Sequence, residues 1–314
     1  MVVTSSLEHD LKPLLILCGL LSVLLPAISK AELYVVVIEG LAGDAVYAEQ
    51  FATQVAAVTE ASKTLTTDNR VHVFPAQSAT REDVLDYFTT LGTQITESDR
   101  LAVYLIGHGS YDDYEYKFNI AGPDLTGDDL AQALGELPGG NQLIVNTSSA
   151  SGALADVLMN DERMLILATR SGVERHATKF GNYFAAALDD PGADLDKNQV
   201  ISAGEAYRFA ERQVDDYFER NGQLATEHSR MEGDRTDRFS LARLGASRTS
   251  QDDDVLAELI ARREALNGQL DELRLSRDAM SADDYQAALL QKLLELAQTE
   301  NQIEAREGEL GREN

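Results

Sequence analysis

Between Leu33 and about Gly245 the chain alternates short apolar runs with stretches of helical spacing. The runs are Leu33 to Ile38, Val71 to Phe74, Leu101 to Ile106, Gln142 to Asn146 and Met164 to Thr169. Continuous apolar segments of this length, rich in Val, Ile and Leu, suit strands covered on both faces. Helix patterns fall at Ala45 to Ser62, Thr80 to Leu91, Asp128 to Leu137 and Lys179 to Leu188. The second opens with Thr80-Arg81-Glu82-Asp83, a threonine cap with an acid three residues on. This alternation predicts an α/β domain over residues 32–246, a mostly parallel sheet with helices on both faces. Such a sheet gathers its functional residues in loops just past the carboxyl ends of its strands.

The pattern changes after Gly245. Residues 247–253 are polar and acidic and read as a linker. Beyond them Leu259, Leu266 and Leu273 recur every seven residues, as do Leu289, Leu296 and Ile303, with Ser281 to Asp284 as an N-cap between the two series. Residues 254–310 therefore predict a helical hairpin or coiled coil. Two or three heptads per helix are marginal alone, so the hairpin must dock on the α/β domain, self-associate into a homo-oligomer or hold a partner.

Ahead of the first strand, Leu14 to Leu25 is an apolar run short of the roughly twenty residues that span a bilayer. With Lys12 before it, Pro26 after it and Ser29-Lys30-Ala31 at its end, residues 1–31 read as a signal peptide cleaved after Ala31. This predicts an exported chain, periplasmic or extracellular. An uncleaved leader serving as a membrane anchor is the other reading.

The charge balance of 27 Lys plus Arg against 53 Asp plus Glu, net −26, gives no broad basic footprint for a phosphate backbone and argues against nucleic acid as a partner. The only cysteine, Cys18, lies in the leader, so the folded body has no disulfide, no cysteine metal cluster and no thiol nucleophile.

Two strand-end loops carry candidate chemistry. The third apolar run ends in Gly107-His108-Gly109-Ser110, and the fourth in Asn146-Thr147-Ser148-Ser149-Ala150-Ser151-Gly152. A histidine between glycines can reach hydroxyls on the neighbouring strand end, and glycine-rich turns expose N–H groups that could receive an oxyanion. Taken alone, His108 is equally an ordinary turn residue.

The segments LYVVVIEG, LAVYLIGHGS, QLIVNTSSASG and LILATRSG resemble the caspase-like and legumain-like cysteine peptidases, particularly their bacterial exported relatives. The resemblance spans about Leu33 to Gly245 and implies a caspase-haemoglobinase-like fold. It implies that His108 stands where those enzymes carry their base, that Ser149 falls on the position of their nucleophilic cysteine, and that Gly109 is an oxyanion donor. The chain departs from the family at that nucleophile, because a hydroxyl does not ionise near neutral pH as a thiol does. A serine needs a histidine oriented by a third group; no acid sits at an obvious sequence position for that task, although Asp112, Asp113 and Glu115 in the loop after His108 could fold back. The leading expectation is a catalytically inactive peptidase homologue that binds a protein or peptide ligand. A serine peptidase or amidohydrolase using Ser149 and His108 is the enzymatic alternative, and an envelope scaffolding component is the third.

Tyr111 and Tyr114, in the aromatic and acidic stretch after His108, are candidate recognition residues, since tyrosine offers rigid contact area with a polar tip. Arg170 and Arg175, after the fifth run, are candidates for a carboxylate-binding fork. For all four, structural packing or ion pairing is the competing reading.

A separate stretch from Asp194 to Glu205 has the spacing of an EF-hand calcium loop: Asp194, Asp196, Asn198, Ser202 and Glu205 supply side-chain oxygens and Val200 a carbonyl. Gln199 stands where the sharp turn favours glycine. The competing reading is a metal-free turn capping the helix that follows. His72, His176, His228 and Asp234 have no companions at metal spacing.

Overall fold

The computed structural model describes residues 31–138, 141–244, 254–275 and 280–313. Most of the expected signal peptide, residues 1–31, and the whole of the expected 247–253 linker lie outside these residues, as does Cys18. Among the described residues no helix is long and apolar enough to cross a membrane.

The chain runs β1 (Leu33–Glu39), α1 (Ala45–Lys63), β2 (Val71–Phe74), α2 (Arg81–Leu91) and β3 (Arg100–Ile106). Three short strands follow, β4 (Gly109–Tyr111), β5 (Tyr116–Phe118) and β6 (Leu125–Thr126), then α3 (Gly127–Gly135), β7 (Gln142–Asn146), α4 (Ala155–Leu158) and β8 (Arg163–Leu167). The domain closes with α5 (Phe180–Ala187), β9 (Val200–Ser202), α6 (Ala203–Arg220), β10 (Arg230–Glu232) and β11 (Ser240–Arg243). Two long helices, α7 (Asp254–Leu275) and α8 (Ala282–Glu313), complete it.

Six strands form one sheet in the order β10-β8-β7-β3-β1-β2, parallel except for β10. Its residues divide by the two-residue period of a strand. Val35, Val37, Ala102, Tyr104 and Ile106 join one core with Phe51 and Val58 of α1, Phe180 and Phe184 of α5 and Val214 of α6. Val36, Ile38, Leu101, Val103 and Leu105 join the other with Val84 and Phe88 of α2, Leu130 of α3 and Leu158 of α4. Burial on both faces explains why these strands read as unbroken apolar runs.

Caps set the helix starts. Thr80 accepts from the Asp83 N–H at 3.2 Å, and the Ser202 hydroxyl and Glu205 carboxylate form a reciprocal capping box on α6. That box starts α6 at Ala203, two residues before Glu205. Just after His228, Arg230–Glu232 pairs antiparallel with β8 at the sheet edge. In the C-terminal hairpin Leu256, Leu266, Leu270 and Ile303 are buried, and Arg263 of α7 donates to Gln199 at 3.2 Å. On α8, Leu290, Leu293 and Leu294 remain exposed.

Candidate functional site

From β1 the chain first crosses to β2 on one side and then returns to β3 on the other, which opens a crevice at the carboxyl ends of β1 and β3. His108 leaves β3 at this crevice. There Gly107 packs so closely on Gly40 that a Cβ at residue 107 would lie 2.8 Å from the Gly40 Cα. Nε2 of His108 donates to the Ala42 carbonyl at 3.1 Å, which fixes the proton on that nitrogen because a carbonyl only accepts. The ring lies edge-on to Tyr47 and Phe51 of α1, at 4.7 and 5.1 Å between centroids.

His108 and Ser149 line the same cavity, together with Gln54, Thr147 and Thr178, but its volume is only about 10 Å³, room for one water. Among the described residues neither His108 with Ser149 nor any acid with His108 forms a hydrogen bond. Asp112 instead accepts the Tyr114 and Glu115 N–H groups and pairs with Lys117 at 2.7 Å, which holds its carboxyl down to about 2. Asp113, in a left-handed turn, pairs with Arg175 at 2.9 Å. Among the described residues these acids make no bond to His108; Asp112 and Asp113 are held in the turn at the hairpin tip and its ion pairs.

Gly109, expected as an oxyanion donor, is the first residue of β4 and opposite Phe118. A Cβ there would lie 2.5 Å from both Ser148 Oγ and Tyr116 Oη, so glycine is required by close approach. These hydroxyls belong to a buried ring of hydrogen bonds that sequence reasoning missed. Asn146 Nδ2 donates to Tyr116 Oη at 2.8 Å, Tyr116 lies 2.7 Å from Ser148 Oγ, and Ser148 Oγ donates to the Ser149 carbonyl at 3.1 Å. The Ser148 N–H returns to Asn146 Oδ1 at 2.9 Å. Burial pushes the Tyr116 phenol up to about 12 despite these partners. The pattern of one hydroxyl after another at 147–149 was visible, but its tyrosine partner on another strand was not.

Beside Ser149, Ala150 is fully buried with a left-handed backbone, φ 57°. A non-glycine residue there costs about 1–3 kcal/mol and must be held by its surroundings. Glu174 does this: its carbonyl receives the Ala150 N–H at 2.8 Å, and its carboxylate takes the Arg170 N–H at 2.9 Å and His228 Nδ1 at 2.7 Å. His228 thus fastens a loop, in keeping with its lack of metal companions.

The recognition candidates fall on two loops that are joined to each other. The Tyr111 ring packs on Gly172, and Asp113 pairs with Arg175. Tyr114 stands at the hairpin tip, 94% exposed. Arg170 is exposed, and among the described residues its guanidinium has no partner, whereas Arg175 is already engaged. The two arginines do not act as one free fork.

In the acidic loop, carboxylate oxygens of Asp194, Asp196 and Glu205 lie within 4.8 Å of one another and can coordinate a divalent cation. Lys197 and Gln199 both have positive φ, 61° and 62°, so the loop makes its sharp turns without glycine. Much of the donor set is turned to the backbone: Asp194 accepts from Asn198 and Gln199, Glu205 from Leu195 and Ser202, and Asn198 Oδ1 from Val200. Partial burial, then the charges of Glu205 and Asp194, raise the Asp196 carboxyl above its ordinary value.

No protein-family model matches the chain, and no curated protein matches it significantly. Among solved structures, that of protein GSU0716 from Geobacter sulfurreducens is similar over 68% of this chain and 98% of its own length, at 13% identity and a TM-score of 0.44. The functional reading rests on the geometry of this chain's own residues.

Proposed function

We propose that this is an exported caspase- or legumain-like α/β protein that binds a peptide or protein segment without cleaving it. The single observation that carries this reading is the position of the hydroxyl: Ser149 stands where the resemblance expects a thiol, and among the described residues it makes no hydrogen bond to His108 although both line one small cavity. A serine hydroxyl with no base in contact is a weak nucleophile at neutral pH. The mostly parallel sheet with helices on both faces is the architecture that the resemblance implies.

The ligand's contact surface is the joined rim of the two loops, with Tyr114 as an exposed aromatic and Arg170 as a free cation. Panning a random peptide library on the intact protein tests this. Enriched peptides should lose about tenfold in affinity with Tyr114→Ala or Arg170→Ala. Enrichment that ignores both substitutions, or none at all, rejects the rim as a binding surface. The exposed leucines of α8 support self-association through the C-terminal hairpin.

The acidic loop favours calcium within the class of divalent cations, since every donor is a hard oxygen and Glu205 follows at the twelfth position. Asp194, Asp196, Asn198, Ser202 and Glu205 would hold it with the Val200 carbonyl, in a structural role that fastens the start of α6.

A further inference from the structure

Helix α8 has two apolar faces. Leu289, Leu296, Thr299 and Ile303 lie on the one that packs with α7, and the last two are buried. On the opposite side Ala287, Leu290, Leu294 and Ala297 form a second stripe that the rest of the chain leaves exposed, the two leucines at 60% and 55%. Asp283 and Asn301 extend it by a turn at each end. The steps between these six residues are four, three, four, three and four, which are the a and d positions of a coiled-coil seam about 27 Å long.

This stripe has the same pattern in both directions. About residue 292, Leu290 mirrors Leu294, Ala287 mirrors Ala297, and Asp283 mirrors Asn301. Two copies laid antiparallel about a two-fold axis at that point match leucine with leucine and alanine with alanine, and each end joins a carboxylate to an amide that donates to it. The flanks match as well. Leu293, itself 44% exposed, faces its own copy, as does Gln291, while Gln286 meets Glu300 and Asp284 meets Gln298. No like charges meet along this seam, although each copy carries a net charge of −26. A parallel pair would instead set Asp283 against Asp283 and align the two helix dipoles. A partner of another sequence would require no such symmetry.

We propose that α8 pairs antiparallel with α8 of a second copy of this chain, giving a layer of four helices with an α7 on each outer side. The proposal rests on the reading that the hairpin self-associates and supplies its axis, register and contacts; the peptide-binding rim is independent of it.

Sedimentation velocity of the full chain over a concentration series tests the pairing. The expected result is a reversible monomer–dimer equilibrium whose dissociation constant rises at least about tenfold in a Leu290→Gln, Leu294→Gln double variant. Glutamine is a good helix former at these exposed positions, so far-ultraviolet circular dichroism should match the parent. Leu224→Gln, which changes an exposed leucine outside the hairpin, should dimerise as the parent does. Added salt should tighten the dimer by screening the charge of the two copies. Oxidation in a Cys18→Ser background tests the direction. Gln291→Cys should give a disulfide-linked dimer because residue 291 meets its own copy, whereas Gln298→Cys should not, because its copies lie about 21 Å apart along the axis. A chain that stays monomeric, or a dimer indifferent to the leucine pair, overturns hairpin self-association and this interface together. A dimer weakened by the leucine pair but with any other cross-linking pattern leaves self-association standing and overturns the antiparallel register. Dimerisation that weakens with salt overturns the matched, uncharged seam.

Discussion

His108 Nε2 and the Ala42 carbonyl, 3.1 Å apart, join the loop after β3 to the loop after β1 at the crevice of the sheet. This bond fastens the two loops and leaves Nδ1 as the unprotonated ring nitrogen. His108→Ala should cost about 2 kcal/mol, from the lost hydrogen bond and the lost edge contacts with Tyr47 and Phe51. Urea denaturation measures it. A neutral or stabilising effect would instead mark His108 as a residue kept for chemistry at the expense of stability.

The ring of hydrogen bonds through Asn146, Tyr116 and Ser148 predicts a second cost. Tyr116→Phe preserves the shape of the ring but leaves Asn146 Nδ2 and Ser148 Oγ short of a buried partner, which should destabilise by about 1–3 kcal/mol. Asn146→Ala, which opens the same ring, should be strongly non-additive with it in a double-mutant cycle.

Two buried carboxylates give stability opposite dependences on pH. Burial raises Glu227 above its ordinary value, and the N–H groups of Lys179 and Phe180, which cap α5 through it, do not offset that. The folded protein therefore holds this proton at a pH where the unfolded chain has lost it. Stability falls as pH rises from the ordinary glutamate value, about 4.3, through the raised folded value. Burial also opposes ionisation of Asp99, but N–H groups of Glu32 and Thr96 and the Thr96 hydroxyl outweigh it and lower its pKa. Its contribution is present above its ordinary value and lost as pH falls through the lowered one. Urea melts across pH should show Glu227→Gln flattening the decline on the higher side of this range and Asp99→Asn flattening the decline toward acid.

For the acidic loop, calcium should release heat on titration and raise the melting temperature, and Glu205→Gln should remove both effects. Magnesium at equal concentration should act more weakly, because a flexible set of oxygen donors suits the larger ion. An unchanged melting temperature with calcium would leave the loop as a metal-free cap on α6.

Much of the fold was legible because it is written locally. The apolar runs gave β1, β2, β3, β7 and β8, and Thr80 marked the start of α2 one residue ahead. The edge strand β10 was not legible: Arg230, Met231 and Glu232 have no strand-like apolar run, and only pairing with β8 makes them one. In the site, His108 and Ser149 do share a cavity, yet what decides its use lies far away in sequence. Ala42 takes the proton-bearing nitrogen, Tyr116 binds the neighbouring hydroxyl, and Gln54 comes from the middle of α1. The acids nearest in sequence, Asp112, Asp113 and Glu115, were drawn into a tight turn and its ion pairs.

The central claim, binding without cleavage, is tested most directly by incubating the intact protein with a diverse peptide library and reading new termini by mass spectrometry, alongside Ser149→Ala. The account predicts no new termini above those of the Ser149→Ala variant, and no rise on adding calcium. New termini at a consistent sequence, present with the parent and absent with a folded Ser149→Ala protein, would contradict it.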